Sequence, residues 1–143
     1  MKRREFLVDS CKFCLNLSAV GIVMSQLSGC GPGLPIFKTS LNKDVVNVPL
    51  SSFAESNLLI LRDLQMPYDV LLVKKTEQEY TALYMKCSHQ ENQVTATSSG
   101  LYCSSHGSSF DLDGRVLKEP ALTPLKKFKT TITPTQLSID LKS

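Results

Sequence analysis

An all-β domain, a small antiparallel sandwich or barrel of about eight strands, is what the sequence predicts for residues 44–143. Three observations carry that reading. Short apolar runs recur with turn signals between them. The final run, "QLSIDL" (136–141), alternates Leu137, Ile139 and Leu141 against Ser138 and Asp140, the period of a half-buried strand. No stretch after residue 30 reads as a helix, and no internal repeat is present.

Taken in order, the predicted strands begin with "VVNVPL" (45–50), "NLLILR" (57–62), "DVLLVKK" (69–75) and "YTALYMKC" (80–87). "GLYC" (100–103) and "GRVLK" (114–118) follow, the second entered through Asp113-Gly114, a good hairpin turn. "KKFKTTI" (126–132) and "QLSIDL" complete the set. The lysines of "KKFK" (126–129) read as a solvated strand face.

Ahead of this domain the chain reads as an address. Residues 1–29 have signal-peptide order: a basic start, a mildly apolar run from Leu15 to Gly29, then small residues. The run is shorter than the ~20 residues a membrane span needs, and Asn16, Ser18, Ser25, Gln26 and Ser28 weaken it further. "RREFL" (3–7) resembles the twin-arginine signal, read by a route that moves folded proteins. "LSGC" (27–30) resembles a bacterial lipobox, which implies lipidation at Cys30 and stable anchoring by more than one acyl chain. Residues 30–43, with their prolines and glycines, read as a lipid-anchored linker. Fully extended, its free part would span about 43 Å. The expected location is an exported, membrane-anchored lipoprotein facing the periplasm or cell exterior.

Charge excludes one class of partner. Four of the sixteen Lys and Arg residues fall in the first twelve positions, so the remainder is near neutral. No basic stripe interleaved with aromatics appears, and nucleic acid is not expected to bind. Cysteine usage narrows the rest. Cys11 and Cys14 belong to the signal segment and Cys30 to the lipobox, leaving only Cys87 and Cys103.

Those two cysteines accompany both histidines of the chain. The pattern is C-x-H, thirteen residues, then C-x2-H, using Cys87, His89, Cys103 and His106. Each pair ends an apolar strand and leads into a polar loop, a layout that suits two loops closing on one metal centre. Zinc accepts two thiolates and two imidazoles, but usually with the cysteines in one half and the histidines in the other. Here each half supplies one of each.

This mixed arrangement resembles a Rieske centre, in which one iron of a 2Fe–2S cluster takes two cysteines and the other two histidines. "CSSHGSSFDLDG" (103–114) is similar to the second Rieske loop and "EPALTPL" (119–125) to the proline loop that covers the cluster. The resemblance runs from about residue 45 to 141. It implies a Rieske-type fold with a cluster-binding loop subdomain. Cys87 and Cys103 would bind one iron, and His89 and His106 the other. Ser108 would donate its hydroxyl to a bridging sulfide.

The sequence departs from quinol-oxidising members of that family. Their loops read C-T-H-L-G-C and C-P-C-H-G-S-x-Y, with a disulfide bracing the two. Asn92 and Ser105 stand at the bracing positions, and Phe110 replaces the tyrosine that donates to a cysteine sulfur. Fewer sulfur donors imply a potential in the lower part of the Rieske range, nearer about −150 mV than +300 mV. Gln90, Glu91 and Asn92 make a polar tip, suited to a wet protein–protein contact.

The expected function is one-electron transfer between redox partners such as a cytochrome, a quinol-oxidising complex or an oxidase. A Rieske subunit of a quinol–cytochrome or molybdenum oxidoreductase is the alternative, and a structural zinc module the second. A self-contained Rieske oxygenase is excluded, because no histidine is left for a mononuclear iron.

Overall fold

Apolar residues that occupy consecutive positions of a strand, rather than alternate ones, must find cover on both of its faces. Three central strands do so here. In the computed structural model, which describes residues 33–40 and 44–143, these are β3 (Leu58–Asp63), β4 (Val70–Lys74) and β5 (Tyr80–Tyr84). Leu59, Leu61, Val70, Leu72, Tyr80 and Ala82 point into one hydrophobic core. Their neighbours Leu58, Leu71, Val73 and Leu83 point into a second.

The first core is lined by a seven-stranded sheet in the order β1-β3-β4-β5-β10-β11-β2. Its other members are β1 (Ile36–Thr39), β2 (Val45–Pro49), β10 (Lys127–Ile132) and β11 (Gln136–Asp140). Val46, Val48, Phe128, Leu137 and Ile139 fill it, together with Phe53 from a short 3-10 helix at Leu50–Phe53. In β11 the alternation behaves as its period demands: Leu137 and Ile139 are buried, and Gln136 is exposed. The second core lies under a four-stranded sheet of β6 (Thr95–Thr97), β7 (Gly100–Tyr102), β8 (Ser109–Phe110) and β9 (Val116–Lys118). Val94, Leu101, Phe110, Ala121 and Leu125 pack there with Cys87 and Cys103.

All eight predicted runs are strands, and the fold is nearly all β. Three strands are additional. β6 reads "TAT" and β8 spans two residues, too short and polar to show a period. β1 lies inside the segment expected to be free linker, and it corrects that expectation for Ile36–Thr39. It pairs with β3 in parallel, the one departure from antiparallel pairing among the described strands. The Pro35 carbonyl accepts the Ile60 amide at 2.9 Å, and Leu34 and Phe37 lend apolar surface to the two cores. Docking β1 therefore shortens any free tether that precedes it. The expected signal segment, the arginine pair expected to direct export, and Cys30 lie outside the described residues. Among those described, no helix is long and apolar enough to cross a membrane.

The expected Asp113-Gly114 turn joins β8 to β9, with the Gly114 amide donating to Asp111 at 2.9 Å. Gly114 has φ +75° and faces Leu83 Cδ2, which would stand 2.8 Å from an added Cβ. The glycine thus serves both the turn and the contact between the two sheets. Gly100 in β7 is tighter: an added Cβ would meet the Phe110 carbonyl oxygen at 2.4 Å. Because that obstacle is paired backbone, it cannot swing aside. We expect Gly100→Ala to cost about 1–3 kcal/mol, the usual range for overpacking, measured as a lower urea midpoint with an unchanged slope.

Candidate metal centre

Two hairpin loops and a third, covering segment build the site. The first loop leaves β5 through Met85. The Cys87 amide donates to the Asn92 carbonyl at 2.8 Å, and the Val94 amide to the Met85 carbonyl at 2.9 Å. These bonds close a hairpin with residues 88–91 at its tip. The second loop joins β7 to β8. Its Cys103 amide donates to the Ser108 carbonyl at 2.8 Å, and the Gly107 amide returns to the Cys103 carbonyl at 2.9 Å. Gly107 sits at φ +83° with nothing near its missing side chain, so it is there for the backbone turn.

Residues 119–125 lie across both loops. The buried Ala121 donates its amide to Ser108 Oγ at 3.0 Å, and the Ser88 hydroxyl donates to the Thr123 carbonyl at 2.5 Å. Each cluster-side loop is therefore tied by a serine to the same third segment. Asn92 and Ser105 carry no thiol, and Cys87 and Cys103 are both free. The tip of the first loop has two further supports. The Tyr68 hydroxyl donates to the Glu91 carbonyl at 2.7 Å, and Lys86 forms an ion pair with the Glu91 carboxylate. Neither Tyr68 nor Ser88 stands out in the sequence, since their partners are 23 and 35 residues away.

The four candidate ligands sort into two pairs. Cys87 and Cys103 are 2% and 0% exposed and belong to the same buried core. His89 and His106 stand edge to face, ring centroids 4.9 Å apart and planes at 83°. His89 is half-buried, whereas His106 is exposed. Ser108 is fully buried beside Cys87. Burial pushes the Cys87 thiol up. The backbone amides of His89 and Gln90, then the Cys103 thiol and the Ser108 hydroxyl, outweigh it and hold the thiol below its ordinary value. Those amides are sulfur donors that residue type alone does not reveal.

One atom is out of balance. His89 Nδ1 is buried and has no hydrogen-bond partner. A buried polar atom left so costs free energy unless something binds it. A buried, unpartnered imidazole nitrogen in the loop that also carries Cys87 suits a metal. Among the described residues, no three His, Cys, Asp or Glu side chains group as a single ion would require. Thiols with thiols and imidazoles with imidazoles is instead the division that a two-iron centre needs. The residues present fit a 2Fe–2S cluster, in which Cys87 and Cys103 would hold one iron and His89 and His106 the other.

The family model of the Rieske [2Fe-2S] domain matches residues 54–129, just over half of the chain. Among solved structures, the cyanobacterial plasma membrane Rieske protein PetC3 from Synechocystis PCC 6803 is similar at 24% identity and TM-score 0.55. The match covers 66% of this chain and 97% of that one. A chain from the complex of reduced oxygenase and oxidised ferredoxin in carbazole 1,9a-dioxygenase is similar at 15% identity and TM-score 0.52. Here 70% of this chain and 95% of that one are covered. Among curated proteins, none matches.

Ser108 joins the covering segment to the thiol pair, so its loss has a readable cost. Ser108→Ala leaves the buried Ala121 amide without its acceptor. We expect a loss of about 1–3 kcal/mol in chemical denaturation of the reconstituted protein.

Proposed function

The chain belongs to the Rieske [2Fe-2S] domain family, and we propose that it is an exported, lipid-anchored carrier passing single electrons between protein partners. When bound, a 2Fe–2S cluster held by two thiolates and two neutral imidazoles takes up and returns one electron, at a potential above that of an all-cysteine ferredoxin. The observation that carries the electron-transfer reading is the unpartnered Nδ1 of His89 beside His106 and the paired thiols.

The chain's own residues divide the remaining work. Cys87 and Cys103, sealed in the second core, hold the inner side of the centre away from water. The amides of His89 and Gln90 and the hydroxyl of Ser108 direct donors at sulfur and favour negative charge there. His106, being exposed, offers an edge through which a docked partner exchanges electrons. The polar Gln90 and Glu91 at the loop tip suit a brief, wet protein contact better than an apolar quinone pocket. Missing donors at Phe110, and the absent brace at Asn92 and Ser105, favour a carrier over a quinol-oxidising subunit.

Export and anchoring rest on the sequence. "RREFL" suits a cofactor assembled before transport, and Cys30 in "LSGC" supplies the lipid attachment. The named neighbours include a plasma membrane Rieske protein and a complex that pairs an oxygenase with a ferredoxin. They support a membrane setting and a protein partner respectively.

Anaerobic purification from the native host tests the first part. We expect about two irons and two acid-labile sulfides per chain, a paramagnetic signal on reduction, and a midpoint well below +200 mV, in the lower part of the Rieske range of about −150 to +300 mV. A single zinc without sulfide overturns the reading, and a midpoint above +200 mV returns the quinol-linked alternative. For the second part, Cys30→Ala is expected to move the protein from the membrane to the soluble fraction. Persistence with membranes means that something else anchors it.

A further inference from the structure

Beside the first cluster loop lies an open cleft of about 450 Å³, whose lining includes Tyr84, Lys86, Cys87, His89, Pro124 and Lys126. Its charges are unequal. Lys86 is neutralised by Glu91, which also borders the cleft. Lys126 is exposed, lies 4.8 Å from the Phe128 ring centroid, and has no carboxylate partner among the described residues. The Gln90 side-chain amide and the Tyr84 hydroxyl make no hydrogen bond to other described residues. One unpaired cation and unused donors thus surround an opening that reaches the iron-ligand loop.

The neighbouring surface is apolar where it protrudes. Leu122 is 82% exposed. It sits between Ala121, bonded to the second cluster loop, and Thr123, bonded to the first. An apolar knob with a polar, charged flank is the anatomy of a transient protein interface.

Resting on the electron-carrier reading above, we infer that this cleft seats a carboxylate of an acidic redox protein, with Lys126 as its cationic anchor. The partner then approaches from the His89 side as well as over the exposed His106. The lysine steers the encounter and sets its direction. A cleft beside the ligand loop places the anion where docking also brings the partner within reach of the centre.

The test uses the intact, cluster-loaded protein and two small oxidants of opposite charge. Reduced protein is mixed with hexacyanoferrate(III), a trianion, or with tris(phenanthroline)cobalt(III), a trication. Each takes one electron from the reduced cluster and is itself reduced by one. Lys126→Gln is compared with Gln78→Glu. The latter makes the same change in net charge in the exposed β4–β5 turn, at the end of β5 away from Cys87. At low ionic strength we expect Lys126→Gln to slow the trianion by about fivefold and to speed the trication. Gln78→Glu should leave both within about twofold, and salt should erase the difference. Midpoint potentials are measured on every variant.

Equal slowing in both variants, or a slowing that a shifted potential accounts for, overturns the docking inference while leaving the electron-carrier function standing. Lys126-dependent sedimentation with phosphatidylglycerol vesicles assigns the cleft to a lipid headgroup and overturns the acidic-protein partner. A wild-type protein without reducible iron and sulfide overturns the proposed function, and this inference with it.

Discussion

Two thiols from neighbouring hairpins must meet inside a dry core, and the rest of the structure follows from that meeting. Cys87 leaves the end of a strand in the larger sheet, whereas Cys103 ends a strand of the smaller one. Both belong to the core lying between the sheets, with Met85, Val94, Leu101 and Phe110 around them. Apolar burial brings the hairpins together without directional bonds. Backbone hydrogen bonds then close each hairpin around its histidine.

The two-faced strands make this possible. A strand buried on one face could complete the larger sheet's core but would offer nothing for a second sheet to pack on. β3, β4 and β5 carry apolar residues on both faces, so a single run such as Val70–Val73 serves two cores at once. Gly114 and Gly100 then permit contacts that a side chain would block, one against Leu83 and one against the Phe110 backbone. The cluster-binding loops thus extend from the framework and are not appended to it.

No disulfide joins the two loops, and a third segment is tied to both. Ser88 and Ser108 each bind residues 119–125, and Tyr68 with Lys86 steadies the tip of the first loop. A brace of hydrogen bonds has no redox chemistry of its own. It also places Leu122, Pro124 and Lys126 near the ligand loop, which joins the support of the site to the surface that a partner meets.

Much was legible in the sequence because it depended on local pattern. Eight strands followed from apolar runs and turn residues, and the C-x-H and C-x2-H pairs marked a candidate metal centre before any fold was known. The strands that could not be read are β1, β6 and β8, whose few residues carry no period and gain order only from neighbours. By itself the sequence determined the candidate ligand types, their division between two loops, and the all-β class, since all three reside in residue identity and spacing. Tertiary structure alone decided that His89 Nδ1 is buried and unpartnered while His106 is exposed, and that two serines fasten a distant segment over the site. Burial and long-range hydrogen bonding depend on what packs from elsewhere in the chain, and no local pattern records that.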